Sequence, residues 1–220
     1  MESPRDRTLR LARRYAADGD PDGWFDEFYT RAGGDHRNVY WADLAPGPHL
    51  VAWLARHAAA PGGRAVVVGC GVGDDALALA AAGYAVTAFD VSPAAIALCR
   101  DRFPDAAVDW RVADLFALPA DWSRAFDVVY ECNTIQVLTG ANRVRARRAI
   151  ATLAAPGGAV LVSCRSRATD AGLDAWPLAL DRPEIDGFQA EGLVAEEFDA
   201  YDDDQEPPVP HFFAVYRRPR

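Results

Sequence analysis

The feature that most constrains this chain is a glycine-rich turn between an apolar run and a helical segment. The apolar run at 65–68 leads into Gly69, Gly71 and Gly73, and Asp74–Ala82 continues as an alanine- and leucine-rich helical segment. Glycines at such a junction allow the backbone to turn sharply and to approach a ligand closely. The sequence therefore predicts a strand, a ligand-binding turn and a helix at this position.

Short apolar runs alternate with helical segments throughout the chain after residue 60. Almost entirely apolar strands that are separated by helices are typical of a parallel sheet with both faces covered. The acidic, proline-rich segment Asp202–Pro210 suits a long hairpin turn, so the last strand is predicted to be antiparallel. The sequence thus predicts a doubly wound α/β fold with a mostly parallel, seven-stranded sheet. The predicted strands are Ala65–Gly69, Tyr84–Asp90, Ala107–Val112, Phe126–Tyr130, Ala159–Cys164, Leu193–Tyr201 and His211–Arg217, with helices at Asp74–Ala82, Pro93–Arg102, Asn142–Ala154 and Pro183–Glu191 and a turn at Pro156–Gly158.

Residues 1–60 differ from the remainder because they contain helical segments but no strand-like run. The segment is rich in aromatic side chains, which must be buried against another part of the molecule. We expect residues 1–60 to form an N-terminal helical lid over one edge of the sheet, within a single domain that spans 1–220. The predicted lid helices are Leu9–Ala17, Gly23–Arg31 and Leu50–Ala60.

Charge and hydropathy exclude several classes of partner. The chain carries 23 basic and 32 acidic residues, a net charge of −9, which opposes a large nucleic-acid surface. No stretch approaches ~18 consecutive apolar residues, and the start of the chain lacks the apolar core of a signal peptide. We therefore expect a cytoplasmic protein with no nucleic-acid or membrane partner, either a monomer or a homodimer.

The cysteine and arginine patterns predict no special chemistry. Cysteines at 70, 99, 132 and 164 form no C-x-x-C pair, and their wide spacing fits neither a zinc site nor a disulfide framework. Reduced thiols and no bound metal are expected. Arginines at 143, 145, 147 and 148 have a helical spacing that predicts a solvated face, with a phosphate site as the alternative.

Acidic residues follow the next three predicted strands. Asp90 ends the second strand, where a carboxylate can accept hydrogen bonds from both hydroxyl groups of a ribose. Asp114 follows the third strand, where it can accept from an adenine amino group while Leu115 and Phe116 flank the base. Glu131 ends the fourth strand. Because the carboxyl ends of parallel strands meet at one edge of a sheet, we expect these groups and the glycine turn to form one site.

In this order the residues resemble the class I S-adenosylmethionine-dependent methyltransferases. The resemblance rests on the glycine turn at Gly69–Asp75, on FDVS at 89–92, on ADLF at 113–116, and on FDVVYE at 126–131 followed by APGG at 155–158. It implies a Rossmann-like methyltransferase fold, S-adenosyl-L-methionine as cofactor, a small-molecule acceptor, and residues 61–220 as the cofactor-binding core. The cofactor-binding residues that it implies are Trp41, Gly69, Cys70, Gly71, Asp75, Asp90, Val91, Asp114, Leu115, Phe116 and Glu131.

Within that class, the chain is similar to the thiopurine, halide/thiol and tellurite-resistance methyltransferases. The similarity lies in Trp24–Tyr29, Tyr40–Leu44 and Pro46–Leu50, and in Val67, where most class I enzymes carry an acid. It favours a thiol or another sulfur acceptor, with oxygen and nitrogen as alternatives. The sequence departs from the thiopurine enzymes at 131–133, where Glu-Cys-Asn replaces their Asp-Arg-Gly, so the role of that arginine is not carried over.

The resemblance implies an in-line methyl transfer to a nucleophile held ~3–3.5 Å from the methyl carbon. We expect Trp41 to lie over the sulfonium, where its ring offers cation–π attraction, with ordinary lid packing as the alternative. Glu131 is the best-placed catalytic base, with a role in holding the cofactor's amino group as the alternative. His36, His49 and His211 are further base candidates. The walls of the acceptor pocket are expected to come from the lid and from residues 165–180.

Two other functions compete with methyl transfer. A nicotinamide-dependent oxidoreductase would use a G-x-G-x-x-G turn, but Asp74 stands at the third glycine position, and an acid there disfavours a pyrophosphate. A protein that binds S-adenosylmethionine without catalysis would keep every cofactor-binding residue. Binding of S-adenosylmethionine rather than NAD would exclude the oxidoreductase. Turnover of S-adenosylmethionine to S-adenosylhomocysteine would exclude the non-catalytic protein.

Overall fold

The computed structural model describes residues 3–19, 23–169 and 178–220. Residues 170–177, within the predicted pocket wall at 165–180, lie outside the described residues. The helices are α1 (Pro4–Ala17), α2 (Trp24–Arg31), α3 (Pro48–Arg56), α4 (Asp74–Ala81), α5 (Pro93–Arg102), α6 (Ala141–Leu153) and α7 (Arg182–Asp186), and the strands are β1 (Arg64–Val68), β2 (Ala85–Asp90), β3 (Val108–Val112), β4 (Phe126–Cys132), β5 (Ala154–Arg165), β6 (Val194–Asp202) and β7 (Pro210–Arg217).

The seven strands form one sheet in the order β3-β2-β1-β4-β5-β7-β6. Strands β1 to β5 pair in parallel, whereas β7 is antiparallel to both of its neighbours, β5 and β6. The prediction of a mostly parallel sheet with an antiparallel last strand is confirmed. The strand order reverses between β1 and β4, which is the point where open α/β sheets bind ligands.

Apolar side chains alternate between the two faces of the sheet, as the period of two requires. On β1, Val66 and Val68 contribute to the core beneath α6, while Ala65 and Val67 contribute to the core that also contains residues of α3, α4 and α5. Both faces of the central strands are therefore covered, which explains why these strands are almost entirely apolar in the sequence. No helix in the described ranges has an apolar stretch long enough to cross a membrane.

The lid forms helices close to the predicted ones, and they divide between one face of the sheet and its carboxyl edge. Leu50 and Trp53 of α3 are buried in the core on one sheet face. Helix α2 lies against α5, and its Tyr29 packs with Val72 of the glycine turn and with Leu98 of α5. Helix α3 is apolar enough to join the main core, whereas α2 lies beside the glycine turn at the carboxyl edge of the sheet. The lid role of residues 1–60 stays a prediction.

Two other local predictions need correction. The predicted turn at Pro156–Gly158 is an irregularity inside β5, since Ala154 pairs with Phe126 but Ala159 already pairs with Val128. Arg143 does not belong to a solvated face, because it is 5% exposed and its guanidinium donates to the carbonyl oxygens of Leu138 and Leu178 and to the carboxylate of Glu184. Sequence spacing could not reveal these partners, which lie in segments that meet α6 only in the folded chain.

Candidate functional site

The glycine turn lies at the carboxyl end of β1, in the reversal of strand order. Gly69, Gly71 and Gly73 have φ angles of +59°, +54° and +95°, which L side chains rarely adopt. The side chain of Thr134, from the loop after β4, fills the space that a Cβ at Gly69 would need. At Gly71 the phenol oxygen of Tyr29 lies 3.2 Å from the position of such a Cβ. Glycines thus allow both the β4 loop and the lid to approach the turn.

Asp90 lies at the carboxyl end of β2, beside this turn, as predicted. Its Oδ2 accepts from the backbone N–H of Gly71 (3.1 Å) and its Oδ1 accepts from that of Ser92 (3.0 Å). The residue is 7% exposed, and burial raises the pKa of its carboxyl group to about 6 despite these hydrogen bonds. At neutral pH the side chain is therefore an ionised acceptor held in a fixed orientation.

The predicted adenine residues lie on the adjoining part of the same edge. Asp114 is exposed, and its Oδ1 accepts from the backbone N–H of Phe116 at 2.7 Å, which leaves its other oxygen available. Leu115 and Phe116 are half-buried against the core beneath α6, and the Arg145 guanidinium lies 4.3 Å from the centre of the Phe116 ring. Val91, the residue after Asp90, is 40% exposed. These residues form an accessible apolar and polar surface next to Asp90.

Glu131 is fully buried at the end of β4. Its Oε1 accepts at 2.8 Å from the backbone N–H of Ile135, which is the first residue of the short 3₁₀ helix Ile135–Val137. Its Oε2 has no hydrogen-bond partner among the residues that the structure describes, and burial raises the pKa to about 7. Through its hydrogen bond with the Ile135 amide, the side chain anchors the loop that contains Asn133 and Thr134. Its roles as a base or as a cofactor ligand remain predictions.

Asp75 and Cys70 flank the glycine turn. The carboxylate of Asp75 accepts from the backbone N–H of Gly47 at 2.8 Å, which ties α4 to the start of α3, and burial raises its pKa to about 6. Cys70 is half-buried, and its contact with the Cys99 thiol together with burial raises its pKa. Cys70 is therefore a neutral thiol at physiological pH. Both residues support the turn, and their contact with a cofactor stays a prediction.

Trp41 belongs to an aromatic cluster in the lid. One face of its ring stacks on Phe28, with a centroid distance of 3.9 Å, and its edge meets Tyr29 at 6.1 Å. Tyr29 rather than Trp41 reaches the glycine turn, since its hydroxyl lies against Gly71 and near Asp90. Tyr29 is not among the predicted cofactor-binding residues, although its spacing of three from Asp26 places both residues on one face of α2.

Two of the predicted base candidates meet at the same edge of the sheet. The His49 ring stacks on Tyr201 with a centroid distance of 3.8 Å, and the centre of the His211 ring lies 5.5 Å from that of Tyr201. Nε2 of His49 lies 3.1 Å from Oδ2 of Asp199, which leaves Nδ1 buried and without a partner in the described part of the chain. His36, the remaining candidate, begins a short 3₁₀ helix in the lid.

Comparison with known proteins shows what the part of the chain around this site is similar to. Residues 65–158 match the family model of a methyltransferase domain, and this range includes the glycine turn, Asp90, Asp114 and Glu131. The fold around them is the Rossmann-like methyltransferase fold, so the predicted fold class is confirmed. This part of the chain is thus similar to a methyltransferase domain.

Particular relatives extend the comparison. The chain is 33% identical over 147 residues to the cypemycin N-terminal methyltransferase of a Streptomyces species, over 63% of this chain and 59% of that protein. It is 34% identical over 122 residues to the ubiquinone biosynthesis O-methyltransferase of Azotobacter vinelandii, over 54% of this chain and 52% of that protein. The chain therefore spans only about half to three-fifths of the length of these curated relatives.

A solved structure matches over almost the whole chain. Burkholderia thailandensis 1,6-didemethyltoxoflavin-N1-methyltransferase, with bound 1,6-didemethyltoxoflavin and S-adenosylhomocysteine, superposes with a TM-score of 0.69 at 19% identity. The match covers 95% of this chain and 91% of that one. At this level of identity the likeness concerns the fold, and the acceptor is a separate question.

The raised pKa of Glu131 predicts a specific effect of pH on stability. Between its unfolded value of about 4.5 and its folded value of about 7, only the folded state holds the proton, so the free energy of unfolding falls as pH rises. The Glu131→Gln variant lacks this pH-dependent contribution to the free energy of unfolding. The contributions of the other acids are the same in both proteins, so they cancel when the variant is compared with the wild type. Urea unfolding from pH 4.5 to 8 should show the wild type losing roughly 1–3 kcal/mol relative to the variant. Parallel pH profiles would show that the carboxyl group is not desolvated.

Proposed function

We propose that this chain is an S-adenosylmethionine-dependent methyltransferase that acts on a small-molecule nucleophile. The observation that carries the proposal is the buried, ionisable carboxylate of Asp90, held between the glycine turn and the end of β2 at the reversal of strand order. In this proposal residues 1–220 are one methyltransferase domain, with residues 1–60 as its lid and 61–220 as its cofactor-binding core.

The residues at this edge fit the parts of the adenosyl cofactor. Asp90 suits the ribose because its two oxygens already hold backbone amides on one side and retain acceptor capacity for hydroxyl groups. Asp114, Leu115 and Phe116 suit the adenine, since an available carboxylate oxygen lies beside an apolar surface. The glycine turn suits the amino-acid part because a backbone without side chains admits a close approach.

The cofactor supplies an electrophilic methyl group on a sulfonium cation, and the chain's own residues position the acceptor and exclude water. The lid provides the aromatic wall, in which Phe28, Tyr29 and Trp41 pack on one another next to the glycine turn. Such positioning can supply several kcal/mol of the barrier reduction. We retain Trp41 as a cation–π partner of the sulfonium, and Tyr29 as the residue that closes the wall against the turn.

The acceptor atom is the least defined part of the proposal. The lid pattern favours a sulfur acceptor. Nitrogen and oxygen are kept as alternatives, because the relatives named above are an N-terminal methyltransferase and an O-methyltransferase. A neutral amine or hydroxyl acceptor must lose a proton, whereas a thiol is partly ionised near neutral pH. The pair formed by His49 and Asp199 is the base candidate that we favour, since the carboxylate orients the ring through Nε2 and Nδ1 has no hydrogen-bond partner among the described residues.

A variant of Asp90 tests the cofactor assignment. Hydrogen bonds to a charged group contribute ~1.5–3 kcal/mol, so Asp90→Ala should weaken S-adenosylhomocysteine binding by roughly 10- to 100-fold in calorimetry. Asp109→Ala is the matched control, because Asp109 is an exposed acid on neighbouring β3 that pairs only locally with Arg111. A loss below threefold in Asp90→Ala, or tight binding of NAD by the wild type, would contradict the assignment.

A panel of thiols, phenols and amines tests the acceptor class through the formation of S-adenosylhomocysteine. If the acceptor is an amine or a phenol, His49→Asn should lower turnover by about 10²-fold or more, as expected for the loss of a general base. His57→Asn is the control, since that ring lies at the other end of α3 and bonds to the carbonyl oxygen of Trp53. Unchanged turnover in His49→Asn would exclude this base, and turnover with thiols alone would establish sulfur. No turnover with any acceptor, together with tight cofactor binding, would favour a non-catalytic protein.

A further inference from the structure

Helix α2 of the lid contacts the ribose-binding segment through one face. Asp26 and Tyr29 are three residues apart on this helix and therefore point in similar directions. Tyr29 meets Gly71 of the glycine turn, and Asp26 meets the segment that joins β2 to α5. The lid is thus joined to both elements that hold the Asp90 carboxylate.

Asp26 caps a helix to which it does not belong. Its Oδ1 accepts from the hydroxyl group of Ser92 at 2.8 Å and from the backbone N–H of Ala94 at 3.0 Å. The Ser92 hydroxyl oxygen in turn accepts from the backbone N–H of Ala95 at 3.0 Å. Pro93 has no N–H, so Ser92 and Asp26 together satisfy the first two free amides of α5.

The same residues continue to Asp90. The backbone N–H of Ser92 donates to Oδ1 of Asp90, and that of Gly71 donates to Oδ2. An unbroken chain of hydrogen bonds therefore runs from the lid through Ser92 to Asp90 and the glycine turn. A change in the position of α2 must be felt by Ser92, whose backbone fixes the orientation of the Asp90 carboxylate.

We propose that Asp26 is a positioning residue for the cofactor: it holds the Asp90–Ser92 segment in the ribose-binding conformation and couples the docking of α2 to cofactor binding. The inference rests on the proposed function only in that S-adenosylhomocysteine is the ligand. It does not depend on the acceptor or on methyl transfer.

The charge of the Asp26 carboxylate affects the pKa of the Asp90 carboxylate. Burial is the main cause of the raised pKa of Asp90, and the charge of Asp26 raises it further. The other groups that face Asp90 are the Tyr29 phenol on α2, the Cys70 thiol in the turn and the backbone N–H groups of Gly71, Val91 and Ser92. Burial raises the pKa of the Tyr29 phenol, and Cys70 is a neutral thiol, so Asp26 is the acid in this group that adds negative charge at neutral pH.

Two variants of Asp26 separate the hydrogen bonds from the charge. Asp26→Ala removes both hydrogen bonds and should weaken S-adenosylhomocysteine binding by roughly 3- to 30-fold at pH 7.5, the range that corresponds to loss of a helix cap. Asp26→Asn keeps an acceptor oxygen and should bind within about threefold of the wild type. Because it removes the charge that raises the pKa of Asp90, the affinity of Asp26→Asn should persist to lower pH than that of the wild type.

Glu27→Gln is the matched control on the same helix. Glu27 accepts from Tyr15 and pairs with Arg14 and Arg31, so it joins α2 to α1 without touching the Asp90 segment. Its variant should perturb the lid and leave both the affinity and its pH profile unchanged. In the free proteins, hydrogen exchange at the Ala94 amide should be faster in Asp26→Ala and unchanged in Glu27→Gln.

The outcomes distinguish this inference from the proposed function. Wild-type affinity in Asp26→Ala, equal weakening in Glu27→Gln, or a pH profile of Asp26→Asn that coincides with that of the wild type would overturn the positioning role while cofactor binding stands. Failure of the wild type itself to bind S-adenosylhomocysteine would overturn the proposed function, and the inference with it. Retained urea-unfolding transitions in each variant exclude general misfolding as the cause of an affinity loss.

Discussion

Two backbone amides converge on the carboxylate of Asp90, and this arrangement joins the ends of the two strands that build the site. One amide belongs to Gly71, after β1, and the other to Ser92, after β2. Burial of the carboxylate is unfavourable, as the pKa of about 6 shows, but each hydrogen bond to the charged form offsets part of that cost. The glycine turn, the start of α5 and the orientation of Asp90 are therefore parts of one structure.

The lid extends this structure rather than simply covering it. Its helix α3 contributes Leu50 and Trp53 to the main core, whereas α2 places Asp26 and Tyr29 against the segments that hold Asp90. In the proposed function, the aromatic wall of the acceptor pocket is therefore joined to the cofactor-binding residues through the hydrogen bonds of Asp26. In a reaction that depends on the distance between an acceptor and a methyl group, such a connection matters because small displacements are costly.

Most of the sheet and much of the candidate site follow from local sequence patterns. Apolar strands, the glycine turn, and acids such as Asp90 at strand ends are recognisable because each depends on residues that are adjacent in the chain. The contacts that were not predicted are those between distant segments. Asp26 lies 66 residues before Ser92, and His49 lies 150 residues before Asp199, so no local pattern indicates that they meet.

The partners of buried charged side chains are likewise not indicated by local sequence patterns. Glu131 lies near the end of β4, as the sequence predicts. Whether its carboxylate faces the edge of the sheet or binds the following loop depends on the position of the 3₁₀ helix Ile135–Val137. Arg143 looked like part of an exposed helix face, yet it is buried because Glu184 and two carbonyl oxygens lie opposite it. In both cases the sequence indicates the charge, and the fold decides its partners.

The central claim is that the Asp90 carboxylate receives the ribose hydroxyl groups of the cofactor. It is tested most directly by titrating the wild-type protein at pH 7.5 with S-adenosylhomocysteine and with its 2′,3′-dideoxy analogue, in parallel with Asp90→Ala. We expect the analogue to bind the wild type at least about 10-fold more weakly, and this difference to disappear in the variant. Equal binding of the two ligands by the wild type would contradict it.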